Sequence, residues 1–491
     1  MQRTTVYRNC FIPKDGSLRH CHVTVENTRV RHVEIVSDSD HGKLMFEEKF
    51  GDYVRISDAS EYYGREDQDH ENETVGDGDG DENEEQDQNR VNFFVFECAG
   101  KILSPGFIDI QLNGAFGVDF SNPAITKDDV LGVATKLTKH GVTHFCPTMV
   151  SSSKSTYAKV IPLIGGIALM DRQSSPSSKS SELTGRASLE LGMHLEGPFF
   201  AASKRGAHEA DCICEDMKQT SIRDVYGRDI KHLYSKAGVS IVTLAPELPG
   251  AGESIQTLSQ NNITVSMGHT EAAMEDGIKA RKCGAKLLTH LFNAMRPFHH
   301  REPGLLGLLQ YSEDSQTHHD LYYSIIADGL HSHPISVKTA FALSQNTVLV
   351  TDAMSAMGLG DGHHTLGSEA VTVKNDRAVI RGTNTLAGSV ASMDSCVRSF
   401  KKFTGCTHYE ALRAATINPA KVLGKEEDIA FVRPDSLANF VLLDDDLNVL
   451  RTIVNGCIVY SSTDDRSSST ADAMKGRLAR PTLPCKRKQL N

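Results

Sequence analysis

The sequence predicts an α/β protein, a (β/α)8 TIM-like barrel carrying a small β-sandwich domain built from both chain ends. Three observations point there. Between about residues 104 and 427, short apolar runs alternate with helix-like stretches, the pattern of repeated parallel β/α units. Alternating apolar segments stand near both ends of the chain, and the two ends of a domain tend to meet. Ionisable residues follow several of the central runs, at the side where a barrel opens its functional face.

Taken in order, residues 22–26, 30–36 and 91–98 alternate apolar and polar side chains and read as strands. Residues 438–443 and 452–460 do the same near the other end, the latter with a turn at Asn455-Gly456. In the middle, the runs 107–110, 240–244, 263–267, 287–290, 323–327 and 348–351 are the candidate barrel strands. Residues 128–140 and 272–283 are helix-like stretches between such runs. The small domain is therefore expected from 1–103 and 428–461, the catalytic barrel from 104–427, and a disordered tail from 462–491.

Residues 58–90 consist mostly of Asp, Glu, Asn, Gln and Gly, and cannot bury enough apolar surface to fold. They are expected to form a disordered acidic insertion. Asp77-Gly-Asp-Gly-Asp81 opens like an EF-hand loop, but its sixth position is Glu82 and its twelfth is Gln88, so no calcium site is expected. Residues 172–188 read as a Ser-rich surface loop, and Lys486-Arg-Lys488 as a solvated basic end.

Composition narrows the function. A length of 491 residues suits one large and one small domain, and 39% hydrophobic residues supply a core. A net charge of −11 argues against nucleic acid or an anionic membrane as partner. The start lacks the apolar centre of a signal peptide, and no run approaches the ~18 apolar residues of a membrane span. Eleven cysteines without a CxxC pair read as reduced thiols, so a cytoplasmic location is expected.

The chemistry lies at the predicted strand ends. Glu196, His269, His290 and Asp352 each follow an apolar run, and in a barrel they would converge. Two imidazoles and a carboxylate make an open zinc site, with room for water. Such an ion lowers the pKa of its water to about 7 and polarises a carbonyl. Asp352 is the candidate base for the water's proton. Beyond His290 come Asn293, Arg296 and Arg301, and His331 follows the next run; these are candidate partners for an anionic substrate group.

Ten phrases occur along residues 103–389: Leu103-Ser-Pro-Gly-Phe-Ile-Asp-Ile-Gln-Leu-Asn-Gly114, Met193-His-Leu-Glu-Gly-Pro198, Arg205-Gly-Ala-His208, Leu244-Ala-Pro-Glu247, Met267-Gly-His-Thr270, His290-Leu-Phe-Asn-Ala-Met295, Arg301-Glu-Pro-Gly304, Ile326-Ala-Asp-Gly-Leu-His331, Val350-Thr-Asp-Ala353 and Leu386-Ala-Gly-Ser389. In content and order the chain resembles the N-acetylglucosamine-6-phosphate deacetylases of the amidohydrolase superfamily. The resemblance implies hydrolysis of N-acetyl-D-glucosamine 6-phosphate to D-glucosamine 6-phosphate and acetate. It implies Glu196, His269 and His290 as metal ligands, Asp352 as acid/base and His208 as the group polarising the acetyl carbonyl. Substrate contacts are implied for Ala207, His208, Asn293, Ala294, Arg301, Asp328, Gly329, Leu330, His331, Leu386, Ala387 and Gly388. Arg301 would reach the neighbouring subunit's site, which implies a homodimer.

Many amidohydrolases hold a second metal with His-x-His after the first barrel strand. Here Gln111-Leu-Asn113 occupies that place, and neutral amides are poor zinc ligands. One divalent ion per subunit is expected, zinc first, with iron, manganese or cobalt as alternatives. A cyclic amidase or deaminase would call for the missing His-x-His pair, and a catalytically dead scaffold would have lost ligands that this chain keeps. Replacing residues 58–90 by a short Gly-Ser bridge is expected to leave acetate release within about tenfold of the intact chain, a difference of roughly 1.4 kcal/mol. A larger loss in the same assay would give the insertion a role in catalysis or assembly.

Overall fold

The structure, a computed structural model, describes residues 2–35, 54–56, 91–98, 100–173, 188–311 and 321–462. The acidic stretch 58–90, the Ser-rich stretch 174–187 and the tail from 463 lie outside these residues.

Eight parallel strands form the barrel: β1 (Phe107–Leu112), β2 (Val142–Met149), β3 (Met193–Glu196), β4 (Val239–Leu244), β5 (Thr264–Met267), β6 (Leu287–Leu288), β7 (Tyr322–Ile325) and β8 (Thr347–Leu349). Each pairs in parallel with the next. Nearly every residue of these strands is buried, because helices cover the outside and side chains fill the inside. That two-sided burial explains why the runs are continuously apolar rather than alternating. The enclosing helices include Lys127–Leu137, Lys154–Gln173, Ala251–Gln260, Met274–Lys282, Pro334–Leu343 and Met393–Thr404. Among the described residues, no helix is long and apolar enough to cross a membrane.

The barrel closes where β8 returns to β1. An isolated parallel bridge joins Leu112 to Ala353. There the Asp352 N–H donates to the Gln111 carbonyl at 2.9 Å, and the Asn113 N–H to the Ala353 carbonyl at 2.8 Å. Asp109, fully buried in β1, accepts the Thr351 hydroxyl at 2.5 Å and the Thr351 N–H at 3.3 Å. Burial pushes the Asp109 carboxyl up to about 7, against the pull of these hydrogen bonds.

Both chain ends contribute to a nine-stranded sheet beside the barrel. Its long strand Gln2–Lys14 pairs with Ser17–Glu26 along one edge. The other edge is shared between Val91–Glu97 and Ile102–Pro105. Ile102–Pro105 in turn pairs with Phe440–Leu443, which continues into the hairpin Val449–Val454 and Cys457–Ser461. Asn455 and Gly456 take left-handed φ values of 50° and 77°, as a two-residue hairpin turn requires. Tyr7, Val23, Phe96, Leu103, Phe440 and Ile453 belong to the core of this sheet, which draws on both ends of the chain.

The structure departs from the sequence reading at strand ends and after β8: β7 ends at Ile325 and β8 at Leu349, each two residues short of the predicted run. Strand β6 ends at Leu288, short of the predicted 290, because the chain turns at His290 into left-handed backbone, φ 30°. A three-stranded antiparallel sheet, Gly362–Leu366, Glu369–Lys374 and Arg377–Ile380, stands after β8 within the stretch read as β/α units. Its exposed face is polar, so its apolar runs are short and carry a weak signal.

Gly106 joins the sheet strand Ile102–Pro105 to β1, and a Cβ there would lie 2.1 Å from the Thr143 side chain. Gly106→Ala is expected to cost about 1–3 kcal/mol by overpacking. Gly132, on the helix Lys127–Leu137, has nothing within 4 Å of its Cβ position, so Gly132→Ala should instead gain up to about 1 kcal/mol. Thermal or denaturant unfolding of both variants checks the opposite signs.

Candidate metal centre

Glu196 ends β3, His269 lies just beyond β5, His290 just beyond β6, and Asp352 beyond β8. His269, His290 and Asp352 all have left-handed φ, at 52°, 30° and 48°. Each such residue costs about 1–3 kcal/mol and persists only where its surroundings over-determine it. The turns bring all four side chains to one cavity of about 270 Å³, lined also by Ala207, His208, Asn293, Ala294, His331, Leu386 and Gly388.

Glu196 Oε1 lies 3.3 Å from His269 Nε2 and 3.1 Å from His290 Nε2, and the two imidazole nitrogens are 3.0 Å apart. His269 Nδ1 faces the Lys204 carbonyl at 2.9 Å. A carbonyl only accepts, so Nδ1 carries the proton and neutral His269 turns a bare nitrogen toward an acceptor carboxylate. Converging acceptors of this kind need a cation between them. Ligand bonds of about 2.0–2.2 Å in tetrahedral array put neighbouring donors roughly 3.4 Å apart, close to the spacing here. The residues therefore fit a divalent ion. Among the described residues, His290 Nδ1 is buried without a hydrogen-bond partner.

A second grouping, Glu196, His208 and His269, places its ligand atoms within 4.8 Å of one another. The set with His290 is tighter. His208 Nδ1 accepts the Ser151 backbone N–H at 3.0 Å, so in the neutral ring the proton sits on Nε2. That makes His208 a donor toward the cavity rather than a ligand. Burial holds its pKa down to about 3, so the ring is neutral.

Gln111 and Asn113 take up the Gln-x-Asn position as amide donors. Gln111 Nε2 donates to Glu196 Oε1 at 2.8 Å and to Asp352 Oδ1 at 3.2 Å. Asn113 Nδ2 donates to the same Asp352 oxygen at 2.7 Å. Burial, then repulsion from Glu196, pushes the Asp352 carboxyl up to about 7. Burial would raise Glu196 as well, but the neighbouring imidazoles of His269 and His290 hold it well below the usual carboxylate range.

The remaining predicted residues divide. Asp328 pairs with His331 Nδ1 at 2.7 Å and accepts the Leu330 and His331 N–H groups, so it orients His331 from behind the cavity wall. Gly329, Leu330 and Ala387 do not line the cavity, nor does Arg301, which is exposed. The sequence reading missed Val150, Ser203, Lys204, Leu366 and Thr385 in the lining. Lys204 directly precedes Arg205-Gly-Ala-His208, which was the available signal. Leu366 comes from the unpredicted three-stranded sheet.

The Amidohydrolase family model matches residues 102–459. The N-acetylglucosamine-6-phosphate deacetylase of Caenorhabditis elegans is 38% identical over 466 residues, 93% of this chain and 95% of that one. That of Mus musculus is 44% identical over 373 residues, 74% of this chain and 85% of that one. Among solved structures, the N-acetylglucosamine-6-phosphate deacetylase of Thermotoga maritima aligns with a TM-score of 0.69 at 27% identity, over 93% of this chain and all (100%) of that chain.

If the acceptor cluster holds an ion, His269→Ala removes it and with it any stabilisation by metal binding. Chelator treatment is then expected to lower the melting temperature of the unmodified protein and to leave that of His269→Ala unchanged. Equal shifts in both would place the ion elsewhere.

Proposed function

This chain belongs to the amidohydrolase family, and on that premise we propose that it hydrolyses N-acetyl-D-glucosamine 6-phosphate to D-glucosamine 6-phosphate and acetate. One observation carries the reading. In a chain that aligns along 93% of its length with a deacetylase of that name, Glu196 Oε1, the Nε2 atoms of His269 and His290, the buried carboxyl of Asp352 and the donor face of His208 meet in one cavity.

Glu196, His269 and His290 would hold one divalent ion, zinc by ligand type or else iron, manganese or cobalt, and such an ion would make water acidic and polarise the acetyl carbonyl. Gln111 and Asn113 offer only neutral amides, so the reading has no second ion. His208 donates through Nε2–H to the acetyl oxygen as negative charge grows there. Asp352 accepts the proton of the attacking water and returns it to the leaving nitrogen. Both amide donors bind its Oδ1, which leaves Oδ2 for the proton.

Asn293, Ala294, His331, Leu386 and Gly388 line the part of the cavity read as holding the sugar and its phosphate. Arg301 stands outside its own cavity and completes a second copy's site, so the working unit is a homodimer. Phe298, 61% exposed, and Ile335, 62% exposed, are apolar surface suited to such contact. The buried thiols of Cys10, Cys21, Cys98 and Cys396 suit a reducing cytoplasm.

Asp352→Asn preserves size and removes proton transfer. Its kcat is expected to fall by about 10²–10⁴ with metal content unchanged. Acetate release on phosphorylated and unphosphorylated N-acetylglucosamine, together with elemental analysis, checks this. Near-normal turnover would assign the proton to another group, and loss of the ion would make Asp352 a ligand.

A further inference from the structure

We propose that Val150 and Leu366 form the wall that receives the acetyl methyl group, so that they set which acyl chains this enzyme removes. The inference rests on the deacetylase reading and adds the acyl selectivity of the same site. An acetamide has an oxygen, a nitrogen and a methyl group to accommodate. The oxygen belongs at His208 Nε2–H, and the nitrogen within reach of Asp352. The methyl has no polar partner and needs an apolar surface beside His208.

Val150 and Leu366 supply that surface. Both line the cavity and both are only 5% exposed. Val150 immediately precedes Ser151, whose backbone N–H and hydroxyl meet His208 Nδ1 at 3.0 and 2.9 Å. Leu366 ends the first strand of the three-stranded sheet, and the neighbouring Gly367 abuts Val150, since a Cβ on it would lie 3.1 Å from Val150 Cγ2. Met354, Ala356 and Val371 back the pair from behind.

The wall is fixed by one buried carboxylate. Asp119 Oδ2 accepts the Gly367 N–H at 2.7 Å, which anchors the turn after Leu366. Asp119 Oδ1 accepts the Ser121 N–H at 2.8 Å, and the Ser121 hydroxyl accepts the Val150 N–H at 3.0 Å. The Ser355 hydroxyl donates to the Thr365 carbonyl at 2.7 Å. Asp119 is thus a positioning residue for both halves of the wall. A wall held at both ends cannot recede to admit a longer chain, and in an apolar pocket each added methylene then costs about 10–200-fold in kcat/KM.

The test measures kcat/KM for N-acetyl, N-propionyl and N-butyryl glucosamine 6-phosphate with the metal-loaded enzyme. The unmodified protein is expected to lose about tenfold or more per added methylene. Leu366→Ala and Val150→Ala should each narrow the propionyl-to-acetyl gap by about tenfold, and Leu366→Met should restore most of it. Val150→Ala removes less volume and keeps the test open if Leu366→Ala folds poorly. Normal acetate release with selectivity unchanged in both alanine variants overturns the wall alone. Failure of the unmodified protein to release acetate overturns the deacetylase reading and the wall together.

Discussion

The contact on which the rest of the site depends is the meeting of β8 with β1. A barrel of eight strands must close, and here it closes through the isolated bridge of Leu112 to Ala353 and the Asp352 N–H to Gln111 carbonyl bond. Those same residues carry Gln111, Asn113 and Asp352 into the cavity. Closure and site geometry are therefore one constraint. Asp109 reinforces the closure from below through Thr351, at the cost of a carboxylate wholly removed from water. A slip of one residue along this join would turn Gln111 and Asp352 away from each other.

Given the closure, the electrostatics follow. Glu196 and Asp352 are two carboxylates near each other in a poorly solvated space, where neighbouring negative charges repel strongly. Between the two carboxylates this chain places the amides of Gln111 and Asn113. An amide donor spreads a modest positive potential over both carboxylates and makes no demand for a second ion. The left-handed backbones of His269, His290 and Asp352 are what aim these groups inward. That strain is sustained by the surrounding bonds, among them His269 to Lys204 and the His290 N–H to the Ser324 hydroxyl at 2.7 Å.

Much of this was legible in the sequence, for identifiable reasons. Barrel strands buried on both sides leave continuous apolar runs, and the polar residues ending those runs stand out against them. Glu196, His269, His290 and Asp352 were visible that way. The Asn455-Gly456 turn was visible because few other pairs tolerate two left-handed residues. What stayed hidden depends on contacts distant in sequence. Val150 reads as the end of a strand until the turn at Leu366 arrives against it. Asp119 reads as a loop acid until Gly367, far along the chain, donates to it. Arg301 could be named from its motif, but its exposure outside its own cavity has no counterpart in a linear pattern.

The division of labour between the two carboxylates comes from their surroundings rather than their chemistry. Both are buried, and burial alone would raise both. Glu196 has two imidazoles within 3.3 Å, and its carboxyl lies well below the usual carboxylate range. Asp352 is lifted to about 7, by burial first and then by the charge of Glu196. A group poised there can both accept and return a proton near neutrality. Its two oxygens are also inequivalent: the amides of Gln111 and Asn113 occupy Oδ1, and neither touches Oδ2. The bonds that settle the carboxylate's orientation come from β1, so the barrel's closure fixes it.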